Sequence, residues 1–125
     1  MTTNAPRIVR RTDPEVPETW LLTYDGDVLI GYAHAIERAN EVWLAEIGVH
    51  PKHRGRGVGT VLLKAVIAEN AGTQLALSAE PFTPDLEGWP WKKGMPATTL
   101  AAWYGRHGFH AEPIEDTPHR MVRLP

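Results

Sequence analysis

A chain of 125 residues, 42% hydrophobic and 22% charged, has the length and composition of one globular unit and excludes a disordered or fibrous chain. A net charge of -2 gives no global basic field for nucleic acid, and the lack of cysteine excludes disulfides, thiolate metal sites and a cysteine nucleophile. No apolar run is long enough to cross a membrane, and Met1 to Arg11 lack the apolar core of a secretory leader, so the expectation is one cytoplasmic domain over residues 1–125.

In chain order, Arg7 to Arg10 predict a short edge strand, and Pro14 and Pro17 make the next stretch a connector. Trp20 to Tyr24 and Val28 to Ile36 read as a hairpin around the Asp25-Gly26-Asp27 turn. Glu41 to His50 is a third main strand. Trp43, Ala45, Ile47 and Val49 form one alternating set; Val42, Leu44, Glu46 and Gly48 form the other. A strand apolar on both faces is central and covered on both sides. Gly48 within it signals a bulge, a close backbone approach, or simply a tolerated glycine.

Pro51 stops that strand. Val58, Val61, Leu62, Ala65 and Val66 then recur at helical spacing, with Gly72 placed to end the helix. Gln74 to Ala79 predict a fourth main strand. Residues 80–96 form a long loop with four prolines, Phe82, Trp89 and Trp91. Pro96 suits a first helical position, and Ala97 to His107 predict a second helix closed by Gly108. Phe109 to Ala111 and Arg120 to Leu124 predict a terminal strand pair. The order gives an α/β (α+β) fold: a mixed, mostly antiparallel sheet with helices on its faces.

The chemical signal lies between the third strand and the first helix, at Arg54-Gly55-Arg56-Gly57-Val58-Gly59-Thr60. Glycines bring main-chain N–H groups close to a ligand, the helix turns its positive end to the same spot, and guanidinium groups bind phosphate. The spacing is neither that of a nucleotide P-loop, which needs Gly-Lys-Ser/Thr, nor that of the dinucleotide fingerprint. By itself such a turn is as often structural as phosphate-binding. Six histidines without helical pairing give no metal site, and none is expected.

The stretch from Glu46 to Leu63 resembles the central motif of the GNAT acetyltransferases, Arg/Gln-x-x-Gly-x-Gly/Ala after an apolar strand; Arg54, Gly57 and Gly59 hold its positions. Trp103-Tyr104-Gly105-Arg106-His107-Gly108-Phe109 resembles the family's later helix, which often ends Tyr-x-x-x-Gly-Phe. The resemblance covers about residues 20–124. It implies a GNAT-like sheet splayed between its third and fourth main strands, with acetyl-CoA as co-substrate. Its diphosphate would lie on Arg54, Gly55, Arg56, Gly57, Val58, Gly59 and Thr60, and its pantetheine arm on the backbone of Ile47 and Val49. It further implies an N-acetyltransferase acting on an amine acceptor of unidentified class. The family's two helices between its first two strands have no room in residues 11–19, so this N-terminal helical region is truncated. That leaves the acceptor side open, or completed by a second copy of the chain as a homodimer.

Acetyl transfer to an amine needs an unprotonated amine, a donor for the developing oxyanion and a proton for the departing thiolate. Through the resemblance Tyr104 is the candidate acid; its alternative is packing against Leu100 and Ala101 one turn back. Glu46, before the expected bulge, is the candidate base, with Glu80 and a water relay as rivals. His50 and His53 flank the phosphate turn as surface or adenosine contacts. The aromatic residues of the long loop read as packing more than as a pocket wall. A rival from another class is a non-catalytic acyl-CoA-binding regulatory module on the same fold.

Overall fold

The computed structural model describes residues 7–125. In chain order the strands are β1 (Arg7–Thr12), β2 (Glu18–Asp25), β3 (Val28–Glu37) and β4 (Val42–Val49). After a 3-10 turn at Pro51–His53 come helix α1 (Val58–Glu69), β5 (Leu75–Ser78), α2 (Ala97–Arg106), β6 (His110–Ala111) and β7 (Arg120–Arg123). They build one seven-stranded sheet in the order β1-β2-β3-β4-β5-β7-β6. Every neighbouring pair is antiparallel except β4 and β5. Residues 13–17 join β1 directly to β2, so no helix stands there.

One irregularity decides which side chains share a face. In the β3–β4 ladder Ala35 pairs with Leu44 and His34 with Glu46, so Ala45 is extra. A bulge of one residue shifts the alternation by one. Val42 and Leu44 therefore lie on the same face as Ile47 and Val49, while Trp43, Glu46 and Gly48 share the other. The simple alternation, which joined Trp43 and Ala45 to Ile47 and Val49, fails for this reason. The bulge sits at Ala45, and Gly48 serves the other purpose of a strand glycine: Tyr32 crosses it closely.

The first face carries the core. Leu21, Ala33, Val42 and Leu44 of the sheet meet Leu62, Leu63 and Val66 of α1, all under 9% exposed. Leu100, Ala101, Trp103 and Tyr104 of α2 join the same cluster with Leu77, Phe109 and Met121. The opposite face carries an aromatic layer, with Trp20 stacked on His34 at 3.9 Å and Tyr32 against Trp20 at 5.9 Å.

The helix ends have separate causes. α1 stops at Glu69, ahead of Gly72, because Asn70 closes it: its Nδ2 donates to the Val66 carbonyl at 2.8 Å and its main-chain N–H to that of Ile67 at 3.2 Å. Pro96 is the cap before α2 and has extended backbone, with ψ of 155°, so the first helical residue is Ala97. At the other end Gly108, with φ of 91°, donates to the Gly105 carbonyl and Phe109 to that of Tyr104, each at 3.2 Å. This is a Schellman closure, and its usual apolar contact is present: the Phe109 ring meets Tyr104 edge-on at 5.6 Å.

Candidate active site

β4 and β5 pair only at Val42 with Leu75 and at Trp43 with Ala76. The closed end of this V is pinned by Glu41, which accepts from Arg120 at 2.7 and 2.9 Å and from Gln74 at 3.0 Å. The pair is largely buried, with side chains 12% and 13% exposed. Beyond Trp43 the strands diverge, and a cleft of about 330 Å³ opens between them. Leu44 to Val49 form one wall; Ser78, Glu80, Phe82 and the α2 residues Leu100, Trp103 and Tyr104 form the other. Gly55 and Gly57 to Thr60 lie at its mouth, with His53 and Arg54. A larger groove of about 590 Å³ lies elsewhere, between residues 13–17 and the end of α1, and holds none of the motif residues.

The strand offers main-chain groups to this cleft. The His50 N–H donates to Ile30 in β3 at 2.8 Å. Successive residues of a strand direct these groups to opposite sides. Those of Ile47 and Val49 therefore face the gap. The Val49 carbonyl accepts from Arg54 Nε at 3.1 Å, which leaves its N–H open.

The turn leaves a row of main-chain N–H groups without partners in the helix. Gly55 and Gly57 have φ of 79° and 82°, a region costly for any residue with a Cβ. A Cβ at either position would meet nothing within 4 Å, so backbone conformation and not space requires glycine there. Gly57 caps α1 without a side-chain bond, and the first helical bond it accepts comes from Val61 at 3.0 Å. Helix geometry leaves the N–H groups of Val58, Gly59 and Thr60 without internal partners. They stand at the positive end of the helix dipole. Trp103 of α2 flanks the turn: its Nε1 donates to Thr60 Oγ1 at 3.4 Å.

The remaining expected site residues fall in different places. Arg54 gives its guanidinium to carbonyls, at Lys92 and Lys93 as well as Val49. Arg56 is exposed and lies outside the cleft lining. Tyr104 lines the cleft and is buried, and burial raises its pKa above the ordinary phenol value, so its proton is held firmly. Glu46 lines the cleft and accepts from the Tyr32 hydroxyl at 3.2 Å. Burial, followed by the Glu46 carboxylate, raises the Tyr32 pKa. Glu80 lines the facing wall and accepts from Ser78 Oγ at 2.9 Å. Phe82 lines the cleft, Trp89 packs on Tyr32 and His50, and Trp91 is 72% exposed.

The GNAT acetyltransferase domain model matches residues 17–111, from the start of β2 through both helices to β6. The chain belongs to the GNAT acetyltransferase family. A mycothiol acetyltransferase of Parafrankia sp. is 41% identical over 64 residues, which is 51% of this chain and 20% of that protein. The chain thus spans about a fifth of the length of this relative. Among solved structures, the PaiA N-acetyltransferase of Thermoplasma acidophilum in complex with coenzyme A superposes with a TM-score of 0.63 at 15% identity, covering 89% of this chain and 63% of that one. Naa50 of Arabidopsis thaliana, in complex with a bisubstrate analogue, gives 0.61 at 16% identity, covering 85% and 72%. At these identities the likeness is one of fold.

In this GNAT domain two contributors have no motif of their own: Tyr32, which holds Glu46, and the Glu41–Arg120 clamp; Trp103 opens the second matched stretch, without a role assigned to it there. The sequence signal for Tyr32 was its bulk in a strand next to the one carrying Gly48. The clamp joins residues 79 positions apart and left no local signal.

Proposed function

We propose that this GNAT domain, read as one unit, transfers an acetyl group from acetyl-CoA to the amine of an acceptor by direct attack. The observation that carries this is the convergence of three features on one cleft: free main-chain amides at the α1 start, an unpaired β4 edge and a buried tyrosine. The diphosphate fits the amides of Val58 to Thr60, which have no partner within the helix, and the pantetheine amides fit the main-chain groups of Ile47 and the Val49 carbonyl, which keeps a second lone pair beside its bond from Arg54. When bound, acetyl-CoA supplies an activated acyl group.

The chain's own residues do the rest. The Val49 N–H points into the gap, where it serves an oxyanion without reorganisation. Glu46 is held by Tyr32 beside the same gap and takes the proton of the ammonium, directly or through water. Tyr104 keeps its proton. A thiol titrates near 8.5, so a phenol raised above its usual value near 10 stabilises the departing thiolate by a donated hydrogen bond more than by outright transfer. No thiol is available for a covalent acyl-enzyme on cysteine. The acceptor is an amine.

The test is thermal stabilisation by acetyl-CoA, followed by thiol release across amine classes. A ligand bound only by the folded chain must raise its Tm. A saturable rise and amine-dependent thiol release support the reading. Binding without release across every class would favour the non-catalytic module.

A further inference from the structure

The phosphate turn and the long loop are joined through one side chain. Arg54 donates from Nη1 to the Lys93 carbonyl and from Nη2 to the Lys92 carbonyl, each at 2.9 Å, and from Nε to Val49 at 3.1 Å. A guanidinium has five N–H donors in one plane, so most of its capacity is spent on main chain. Residues 80–96 form no helix or strand; the carbonyls of Phe82 and Leu86 take N–H groups of the loop itself, and those of Lys92 and Lys93 take Arg54. Nearby, Trp89 rests on His50 and Tyr32, with ring centroids 5.2 and 5.9 Å away. The Gly94 N–H closes the loop base on Phe82 at 3.0 Å. Phe82, Pro84 and Met95, on either side of these fixings, line the cleft.

We propose that Arg54 is a positioning residue: it ties loop 80–96 to the phosphate turn, so that seating the diphosphate on α1 also fixes the facing wall of the cleft. This rests on the acetyl-CoA reading of the cleft. The guanidinium fork is what the task requires, because two adjacent carbonyls take two parallel N–H donors. A lysine in its place offers one compact charge and reaches one carbonyl at a time.

The experiment compares Arg54→Gln and Arg54→Lys with the unaltered chain. Two quantities are read: the rate of tryptic cleavage after Lys92 and Lys93, followed by mass, and the Kd of acetyl-CoA by calorimetry. Loss of hydrogen bonds to a charged group should raise the cleavage rate on the order of tenfold in both variants. The acetyl-CoA Kd should change alike in Arg54→Gln and Arg54→Lys, the two staying within about threefold of each other, because both lose the fork, and a threefold difference is well under the tenfold that ~1.4 kcal/mol produces. Acetyl-CoA should protect the loop of the unaltered chain more than that of either variant. Cleavage at the unaltered rate in both variants overturns the tether. So does a tenfold loss of acetyl-CoA affinity confined to Arg54→Gln, which marks Arg54 as a phosphate ligand through its charge. Should Arg54→Gln fail to fold, Arg54→Lys decides alone, since it keeps the charge and loses the fork. Failure of the unaltered chain to bind acetyl-CoA sinks the reading of the cleft, while the cleavage comparison still judges the tether.

Discussion

Tyr32 lies across Gly48: a Cβ at position 48 would stand 2.6 Å from the ring Cζ and 2.8 Å from its hydroxyl oxygen, and that same hydroxyl donates to Glu46. The two strands bearing them are in register at this point, so a Cβ at position 48 must push the ring out of its present place. Gly48→Ala should therefore destabilise the fold by about 1–3 kcal/mol, as overpacking does. It should also cost activity by freeing Glu46. A variant with unaltered Tm and turnover would show that Tyr32 does not hold the carboxylate.

The Tyr104 ring is held by Phe109 and buried, so its hydroxyl can be removed with little effect on packing. Tyr104→Phe should keep stability within about 1 kcal/mol and leave acetyl-CoA binding unchanged. Turnover should fall roughly a hundredfold, the usual loss on removing one positioned hydrogen-bond donor to developing charge. Thiol-release kinetics beside a binding isotherm separate the two effects; unchanged turnover would return Tyr104 to a packing role.

Glu41 and Arg120 fix the closed end of the cleft. The Arg120 hydrogen bonds lower the Glu41 pKa, and Glu41 in turn raises that of Arg120. A carboxyl with a lowered folded pKa contributes stability that is complete above its unfolded value, near 4.3, and is lost as pH falls through the folded one. Glu41→Gln should cost about 2–3 kcal/mol at neutral pH. The difference from the unaltered chain should shrink in acid. Equal Tm values for the two proteins at pH 7 would contradict the clamp.

His50 accepts from the Lys52 N–H through Nδ1 at 3.1 Å and rests against Trp89. Burial, followed by the charges of His53, Lys52 and Arg54, lowers its pKa. A histidine lowered in the folded state contributes stability that is complete above about 6.5 and declines as pH falls from there towards the folded value. A proton NMR titration should place His50 below the ordinary histidine value, and Trp89→Ala should bring it back upward by exposing the ring. Titration at or above the ordinary value would contradict this packing.

Much of this was legible in the sequence because the punctuation is local. Every main strand and both helices start and stop within a residue or three of turn, proline and glycine signals. Tyr-x-x-x-Gly-Phe entered as a family resemblance, and the structure gives its spacing a local cause: a Schellman closure, with Gly108 left-handed and Phe109 folded back on Tyr104. The bulge at Ala45 was not readable, because the extra residue shows only against its partner strand, and so the faces of β4 came out mixed. Asn70 displaced Gly72 as the end of α1 by an equally local side-chain bond, which composition alone does not rank. The partners of Arg54 lie 38 and 39 residues away in a loop without periodicity. No pattern along the chain reports such a contact.

The most direct measurement is an amide NMR titration with acetyl-CoA. The Val58, Gly59 and Thr60 N–H signals should show the largest saturable shifts, with Ile47 and Val49 next. Gly57→Ala, which strains a φ of 82°, should weaken that binding. Saturable binding that leaves the amides of residues 58–60 unmoved, or no binding at all, would contradict the assignment of the turn to the diphosphate.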